Sequence, residues 1–261
     1  MGFNSIHIEE IAGRIGIIVL DRPEKRNAIS IEMRREISTC LNTWKSSTVG
    51  AVIITGAGST FSGGFDLSEF NQPELFDELF VSSSQYHRDI WNFTKPVIAA
   101  INGPALGGGF DLATLCDIRI CSGNALFGHP EIKFGAPPII TPLRWIIGEG
   151  LAREVCLTGR KISASEALRM GLVSEIVDDG TLIQRATTLA EIILEAPVDT
   201  LEFTKQFFAS TAGHGFEKSF YEEHDRAFRE VLLPKAVSSQ SKCRVFRHKV
   251  QSFSSNTFAV L

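Results

Sequence analysis

The stretch PALGGGFDLATLCD, residues 104–117, places three consecutive glycines at the start of a predicted helix and an aspartate in its first turn. Glycine disfavours a helix interior by about 1 kcal/mol relative to alanine, so Gly107, Gly108 and Gly109 are expected to do something that a side chain would prevent. The first N–H groups of a helix have no intrahelical acceptor and carry partial positive charge. We therefore interpret them as donors open to the carbonyl oxygen of a ligand, an oxyanion hole.

Two acidic side chains could work beside such a hole. Asp111 follows Gly108 by about one helical turn, and Glu131 stands in the loop FGHPEIKFG, after the next predicted strand. An aspartate in a first turn is commonly only a favourable partner of the helix dipole. The presence of Glu131, held by the rigid backbone of Pro130 before it, favours acid–base chemistry shared by two carboxylates.

Commoner uses of glycine-rich loops do not fit this stretch. A G-x-G-x-x-G dinucleotide fingerprint fails because Leu112 takes the place of the third glycine, and a P-loop would need G-K-[ST]. There is no G-x-S-x-G nucleophile elbow, and the six histidines show no H-E-x-x-H spacing. Close packing is the alternative for one glycine loop. A second such loop, FSGGFDL at 61–67, favours a functional site.

The predicted elements bring the two glycine loops together. Residues 51–55 and 97–101 are predicted to be buried strands joined through a helix at 73–93, which makes them parallel with a right-handed crossover. Each strand runs into one glycine loop. Since the carboxyl ends of parallel strands meet at one sheet edge, N–H groups from both loops are expected to point at one ligand there.

The rest of the chain is predicted to complete an α/β core and to continue as helices. The further predicted elements are a hairpin of 5–10 and 14–20, a helix at 31–44, strands at 117–121 and 172–177, a helix that Ser163 and Glu166 open as a capping box and Gly171 closes, and C-terminal helices at 181–195, 198–212, 216–232 and 236–250. We divide the chain into a core over 1–200 and a helical region over 201–261.

Composition excludes several classes of function. With 44% hydrophobic residues, the chain is typical of a globular protein, and its net charge of −4 argues against a nucleic-acid-binding protein held by a basic surface. Five scattered cysteines, never in C-x-x-C spacing, favour free thiols over disulfides or a zinc site. The first residues resemble no targeting signal and no apolar run approaches a membrane span. We expect a cytoplasmic protein with no metal, nucleic-acid or membrane partner.

Five segments together resemble the crotonase superfamily, the enoyl-CoA hydratases and isomerases. They are FSGGFDL, INGPALGGGFDLATLCDIRI and FGHPEIKFG, with DRPEKRNAIS at 21–30 and LTGRKISASEALRMGLVSEIV at 157–177. The likeness runs in consistent order from about residue 10 to 210. It implies a crotonase-type α/β fold, a spiral of ββα repeats whose C-terminal helices pack trimers or dimers of trimers.

The resemblance also implies which residues form the site. The N–H groups of Phe65 and Gly108 would hold the thioester carbonyl of an acyl-CoA, and Asp111 and Glu131 would be the catalytic carboxylates. Coenzyme A is part of the substrate, and no further cofactor is implied. The residues implied in binding coenzyme A are Lys25, Arg26, Ala28, Gly63, Gly64, Asp66, Leu67 and Lys249.

The chain departs from the family pattern at two places. Asp111 stands where hydratases typically carry Glu; dienoyl-CoA isomerases of the family carry Asp there, with a third acid where this chain has Ile139. The loop that usually reads P-G-x-G-G is here Pro-Pro-Ile-Ile-Thr-Pro at 137–142. Because this loop is stiffer and bulkier, we expect it to reshape the acyl pocket.

Together these features favour an enoyl-CoA hydratase, which adds water across the 2,3-double bond of a CoA thioester. Two carboxylates around one water can share the tasks of base and acid, whereas moving a double bond needs one proton shuttle. The alternatives are an enoyl-CoA or dienoyl-CoA isomerase and, more distantly, a non-catalytic acyl-CoA- or RNA-binding relative. The acidic net charge and the acid pair argue against the last of these.

Overall fold

The computed structural model describes residues 2–211 and, beyond them, Lys218, Tyr221, His224, Asp225, Phe228, Arg229 and Leu233. Over this part of the chain the strands are β1 (Ile6–Ile11), β2 (Ile15–Leu20), β3 (Ala51–Gly56), β4 (Val97–Ile101), β5 (Ala105–Leu106), β6 (Ile118–Ser122), β7 (Leu126–Gly128), β8 (Ile162–Ser163) and β9 (Glu175–Val177). The α-helices are α1 (Ile31–Lys45), α2 (Phe76–Trp91), α3 (Gly108–Leu115), α4 (Thr141–Ile147), α5 (Glu149–Thr158), α6 (Ala164–Arg169), α7 (Leu182–Ile193) and α8 (Val198–Thr211). Short 3-10 turns lie at Pro23–Lys25, Glu69–Asn71, Pro73–Leu75, Pro130–Phe134 and Asp179–Thr181.

A mixed sheet in the order β1-β2-β3-β4-β6-β9 forms the centre of the fold. The pair β1–β2 is antiparallel, as the predicted hairpin requires, and every other pair in this sheet is parallel. The pairing of Val52 with Val97 confirms that β3 and β4 run side by side in the same direction. Their carboxyl ends, and the two glycine loops that follow, therefore lie at one edge.

Both faces of this sheet are covered, which explains why its central strands are apolar throughout. In β3, Val52 and Ile54 point into the larger hydrophobic core, which also contains residues of α1, α2 and α3. The alternate residues Ala51 and Ile53 point to the opposite face, where they pack with Ala186 of α7. All six residues of β3 are buried.

A second sheet of three strands, in the order β5-β7-β8, was not predicted from the sequence. Its strands are only two or three residues long, too short for a periodic pattern to stand out. Leu106 of β5 pairs with Gly128 of β7, and Gly107 then donates its N–H to Gly128 at 3.0 Å. This sheet therefore places the start of α3 beside the loop that carries Glu131.

The capping box predicted at Ser163 forms only in part. Ser163 Oγ accepts a hydrogen bond from the N–H of Glu166 at 3.3 Å, so the N-cap is present. The Glu166 carboxylate does not return to the Ser163 backbone, because it forms an ion pair with Arg160 at 2.7 Å. Gly171, with φ of +73°, follows the end of α6 as predicted.

The C-terminal predictions are tested only in part. The helix predicted at 181–195 is α7, and the one predicted at 198–212 is α8. The helix predicted at 236–250 lies outside the described residues, and only a few residues of the one at 216–232 are described. The division between a core over 1–200 and a helical region over 201–261 stays a prediction.

The described cysteines are free thiols: Cys40, Cys116, Cys121 and Cys156 are all buried, and Cys243 lies outside the described residues. Burial raises the pKa of the Cys40, Cys116 and Cys121 thiols to about 12, so they stay protonated at neutral pH. In the described part of the chain, no helix has both the length and the apolar character needed to span a bilayer.

Candidate active site

Backbone hydrogen bonds fasten the two glycine loops to each other. Ser62 donates its N–H to Pro104 at 3.1 Å, and Leu106 donates back to the Ser62 carbonyl at 2.9 Å. Glycines allow this approach, because a Cβ on Gly109 would lie 2.5 Å from the Ser62 oxygen and one on Gly103 only 2.1 Å from the Ser59 oxygen. The tertiary structure thus confirms that both loops meet at one place.

The N–H groups of Phe65 and Gly108 are available at this meeting point. Phe65 forms a parallel bridge with Ile29 in which the residues either side of Phe65 make the hydrogen bonds, so its own N–H points away from Ile29. Gly108 is the first residue of α3, where an N–H has no intrahelical acceptor. Neither N–H donates to another residue within the described ranges.

The two predicted donors belong to backbones in contact. A Cβ on Gly108 would lie 2.7 Å from Cδ1 of the Phe65 ring, and one on Gly64 would lie 3.3 Å from the Gly108 nitrogen. A side chain at either glycine would fill the gap between the loops. An oxyanion hole needs two backbone N–H donors close together, and the contact between these loops meets that requirement of proximity.

Gly107 shows why the helix begins with glycines. Its φ of 52° and ψ of −128° form a conformation that residues with a Cβ rarely adopt. A Cβ there would also lie 3.2 Å from Oε2 of Glu131. The absence of a side chain thus lets the Glu131 carboxylate lie against the start of α3.

A buried histidine lies between the two predicted acids. His129 Nδ1 lies 2.8 Å from Oε1 of Glu131, a hydrogen-bond distance, and His129 Nε2 lies 3.8 Å from Oδ1 of Asp111. The His129 side chain is fully buried, while 24% of the Glu131 side chain and 9% of the Asp111 side chain are exposed. We call Asp111, His129 and Glu131 the carboxylate cluster. It joins the acid on α3 to the acid on the loop after β7.

His129 was not predicted from the sequence to be a functional residue. The signal was present, since a histidine two residues before a candidate acid can reach it across one proline. The contact of His129 with Asp111 could not be predicted from the sequence, because that contact depends on the pairing of β5 with β7. Among the described residues, no group of His, Cys, Asp and Glu side chains is arranged to hold a metal ion.

The residues predicted to bind coenzyme A come from two segments that lie side by side. Gly63 donates its N–H to the carbonyl of Arg26 at 2.8 Å, and Ile29 donates to the carbonyl of Gly64 at 2.8 Å. Arg26 and Asn27 have φ values of 53° and 51°, a left-handed conformation that is uncommon for residues other than glycine. Such consecutive outliers persist only where surrounding contacts hold them.

Asn27 supplies those contacts. It is fully buried, its Nδ2 donates to the carbonyls of Ala57 and Thr60 at 2.9 and 2.6 Å, and its Oδ1 accepts from the N–H of Arg22 at 3.0 Å. Arg22 in turn donates to the carbonyl of Ala28 at 2.7 Å. The segment around Ala28 is therefore fixed before any ligand arrives.

Asp66 is engaged inside the protein. Its Oδ2 lies 2.9 Å from Arg22 Nη2 and 3.9 Å from Lys25 Nζ, and its Oδ1 accepts from Ser68 Oγ at 2.6 Å. Burial by itself raises the pKa of Asp66, but the hydrogen bonds from Ser68 and Arg22 outweigh it and lower the pKa below its ordinary value. The side chains of Lys25 and Leu67 are largely exposed at the same surface. Lys249 lies outside the described residues.

A second group of buried polar side chains lies behind Phe65. The fully buried Arg34 guanidinium lies 4.8 Å from the centre of the Phe65 ring, and its Nη2 is 3.4 Å from Oε2 of Glu69. Within the described residues, Arg34 Nε, Arg34 Nη1 and the buried Tyr86 hydroxyl have no hydrogen-bond partner. Burial lowers the pKa of Arg34 to about 10 and raises that of Tyr86. We call Arg34, Glu69 and Tyr86 the arginine cluster.

The altered loop at 137–142 packs against the core through part of its residues, while Ile140 is exposed. Ile139, which stands at the position of the third acid of the dienoyl-CoA isomerases, packs against the large hydrophobic core. Thr141 and Pro142 are buried and begin α4. The expected effect of this loop on the acyl pocket stays a prediction.

Comparison with known proteins gives one family. The family model for enoyl-CoA hydratase/isomerase matches residues 10–237. A relative in Dictyostelium discoideum, named probable mitochondrial enoyl-CoA hydratase, is 37% identical over 201 residues, covering 76% of this chain and 73% of the relative. A short-chain-enoyl-CoA hydratase of Clostridium acetobutylicum is 36% identical over 214 residues, covering 79% of this chain and 81% of that protein.

Solved structures agree with the sequence matches. The crystal structure of an enoyl-CoA hydratase/isomerase from Xanthobacter autotrophicus Py2 superposes with a TM-score of 0.82 at 31% identity, covering 87% of each chain. The crotonase-type α/β fold that the resemblance implied is therefore confirmed. The chain is a member of the enoyl-CoA hydratase/isomerase family of enzymes.

Proposed function

We propose that this enzyme hydrates an enoyl-CoA thioester, adding water across the 2,3-double bond. The observation that carries the proposal is the placement of Asp111 and Glu131 in one cluster beside the glycines that begin α3. An enzyme that only moves a double bond needs one proton shuttle, whereas addition of water uses a base and an acid together. The names of the relatives in Dictyostelium and Clostridium support the same reaction.

The N–H groups of Phe65 and Gly108 are proposed to bind the thioester oxygen. Hydrogen bonds to this oxygen draw electrons from the conjugated system, so that C3 becomes electrophilic and charge develops on the oxygen as water adds. The water oxygen bonds to C3 as one of its protons passes to a carboxylate. A proton from the other carboxylic acid goes to C2, and the product is a 3-hydroxyacyl-CoA.

Coenzyme A is proposed to lie along the joined segments 22–29 and 62–67. Lys25 and Arg26 supply positive charge for its phosphates, and the backbone around Ala28, Gly63 and Gly64 supplies polar groups that the buried Asn27 holds in place. Asp66 is proposed to act here by fixing Arg22 and Lys25. Coenzyme A arrives with the substrate, and the proposed chemistry uses no further cofactor.

The proposed assembly is a homotrimer or a dimer of trimers. Phe203 and Phe208 on α8 are 69% and 72% exposed in one copy of the chain, which is unusual for phenylalanine and is consistent with burial between copies. Light scattering is expected to give the mass of three or six chains, and a stable monomer at micromolar concentration would contradict this.

The proposed location of the protein is the cytoplasm, and cell fractionation tests this proposal.

The reaction is tested with crotonyl-CoA in ¹⁸O-labelled water. Loss of absorbance from the conjugated thioester, with label in a 3-hydroxyacyl-CoA product, supports hydration. A shifted double bond without label, on a longer enoyl-CoA, identifies an isomerase instead. Binding of acyl-CoA without any turnover or proton exchange at C2 supports a non-catalytic relative.

A further inference from the structure

The buried His129 side chain is bonded to only one of the two oxygens of Glu131. Its Nδ1 lies 2.8 Å from Oε1, while Oε2 is buried, lies against Gly107 and has no hydrogen-bond partner within the described residues. An ionised carboxylate only accepts hydrogen bonds, so with Glu131 ionised the tautomer that makes this contact favourable has its proton on Nδ1. The two oxygens of Glu131 therefore have different surroundings.

This asymmetry determines which oxygen can react. Oε1 is bonded to Nδ1 of His129. This side chain is fully buried and packed, with its ring centre 4.8 Å from that of Phe110. Oε2 is the oxygen turned toward the start of α3, where Gly108 offers its N–H. The His129 contact engages Oε1 and leaves Oε2 as the carboxylate oxygen nearer to Gly107, at the start of α3.

We infer that His129 is a positioning residue, which acts by donating a hydrogen bond from Nδ1 to Glu131 and so directs Oε2 at the substrate. The inference rests on the proposed function, because it assumes that Glu131 exchanges a proton with substrate or water. Nε2 of the same ring lies 3.8 Å from Oδ1 of Asp111, so this side chain lies between the acids of two different elements. A side chain that merely filled space would not need a donor at Nδ1.

The first test compares replacements of His129 that keep or remove the donor. His129→Phe keeps an aromatic ring against Phe110 but removes the N–H, and we expect it to lower kcat for hydration about 10²-fold with little change in KM, since small misplacement of a reacting group has effects of that order. His129→Asn places an amide N–H near the position of Nδ1. We expect the kcat of His129→Asn to be at least tenfold higher than that of His129→Phe.

Coupling to Glu131 separates positioning from a general structural effect. If His129 acts through Glu131, the double variant His129→Phe/Glu131→Gln should be no slower than Glu131→Gln alone. The matched control is His87→Phe, another buried histidine, whose Nδ1 bonds the Ser83 carbonyl. In the double variant His87→Phe/Glu131→Gln, the fold losses in kcat of the two single variants should multiply. Multiplication for His129→Phe as well, or equal rates for His129→Phe and the unaltered enzyme, overturns the inference.

A spectroscopic measurement tests the hydrogen bond without any turnover. In protein labelled with ¹⁵N-histidine, the signal missing from His129→Phe identifies this one of the six histidines. We expect Nδ1 to carry a proton whose resonance lies downfield and moves upfield in Glu131→Gln. An unprotonated Nδ1, or a resonance that Glu131→Gln leaves in place, overturns the inference even if hydration is confirmed. The expected shift in an enzyme that fails to hydrate overturns the proposed function alone.

Discussion

The carboxylate cluster and the arginine cluster are both buried beside the Phe65 loop, yet their polar atoms are arranged differently. In the carboxylate cluster, His129 lies between Asp111 and Glu131, and Oε2 of Glu131 lies against the glycine backbone at the start of α3. In the arginine cluster, Arg34 contacts Glu69 only at 3.4 Å and is covered by an aromatic ring. Burial of charge is common to both clusters, so it does not distinguish a reacting site.

The difference lies in what surrounds the polar atoms. Gly107 lets the Glu131 carboxylate lie against the start of α3, whereas the Arg34 guanidinium is fully buried against the Phe65 ring. Glu69 also accepts a hydrogen bond from the N–H of Ile31 at 2.9 Å and so ties the loop after Phe65 to the start of α1. These differences favour a supporting role of the arginine cluster for the Phe65 loop and agree with the catalytic role proposed for the carboxylate cluster.

The largest expected effect concerns the acids of the carboxylate cluster. Glu131→Gln and Asp111→Asn should each lower kcat for hydration about 10²–10⁴-fold, because each removes a proton-transferring group. The double variant should be little slower than either single one, since groups that act as a unit are strongly non-additive. Rates are measured with crotonyl-CoA. If either single variant keeps full activity, the assignment of the two clusters is wrong.

The next effect concerns the N–H of Gly108. Gly108→Pro removes this donor at the first position of α3, where proline is well tolerated, and should lower kcat about 10²–10³-fold. Gly108→Ala is the matched control, because it adds the same Cβ beside the Phe65 ring but keeps the N–H. The difference between the two rates measures the donor itself. Equal rates in two folded variants would mean that Gly108 donates nothing to the reaction.

A smaller effect, on stability, is expected in the arginine cluster. Glu69→Ala leaves the buried Arg34 charge without its partner and should lower the free energy of unfolding by about 3 kcal/mol, measured in denaturant. Arg34→Met combined with Glu69→Ala removes the stranded charge and should recover most of this loss. Hydration by the double variant should remain within about tenfold of the unaltered enzyme. A loss as large as that of Glu131→Gln would place Arg34 in the chemistry.

The smallest effect concerns the pH dependence of the contact between Asp66 and Arg22. Because the pKa of Asp66 is lowered in the folded protein, its stabilising contribution is present above the ordinary aspartate pKa of about 3.9 and is lost as pH falls through the lowered value. Asp66→Asn should therefore be less stable than the unaltered protein at pH 6, by about 1 kcal/mol, with a difference that shrinks toward pH 3. A difference that is constant with pH contradicts this linkage.

Local patterns in the sequence were sufficient to predict the central strands, the glycine loops and the two candidate acids. The apolar runs at β3 and β4 can be recognised because strands buried on both faces are continuous in hydrophobicity. Gly107 could be singled out because glycine at a helix start needs a reason, and the structure supplies one in its positive φ and in the nearness of Glu131. Local propensity and chain order were sufficient for these features.

The contacts that hold the two candidate acids could not be predicted from the sequence and became known from the tertiary structure. The contact of His129 with Asp111 depends on the short pairing of Leu106 with Gly128, and a strand of two residues leaves no pattern in a sequence. The Glu166 carboxylate likewise departs from the predicted capping box, because it forms an ion pair with Arg160 instead. The first contact depends on the distance between two segments that lie apart in the chain, and the second on a competing partner six residues away, and neither is recorded in a local pattern.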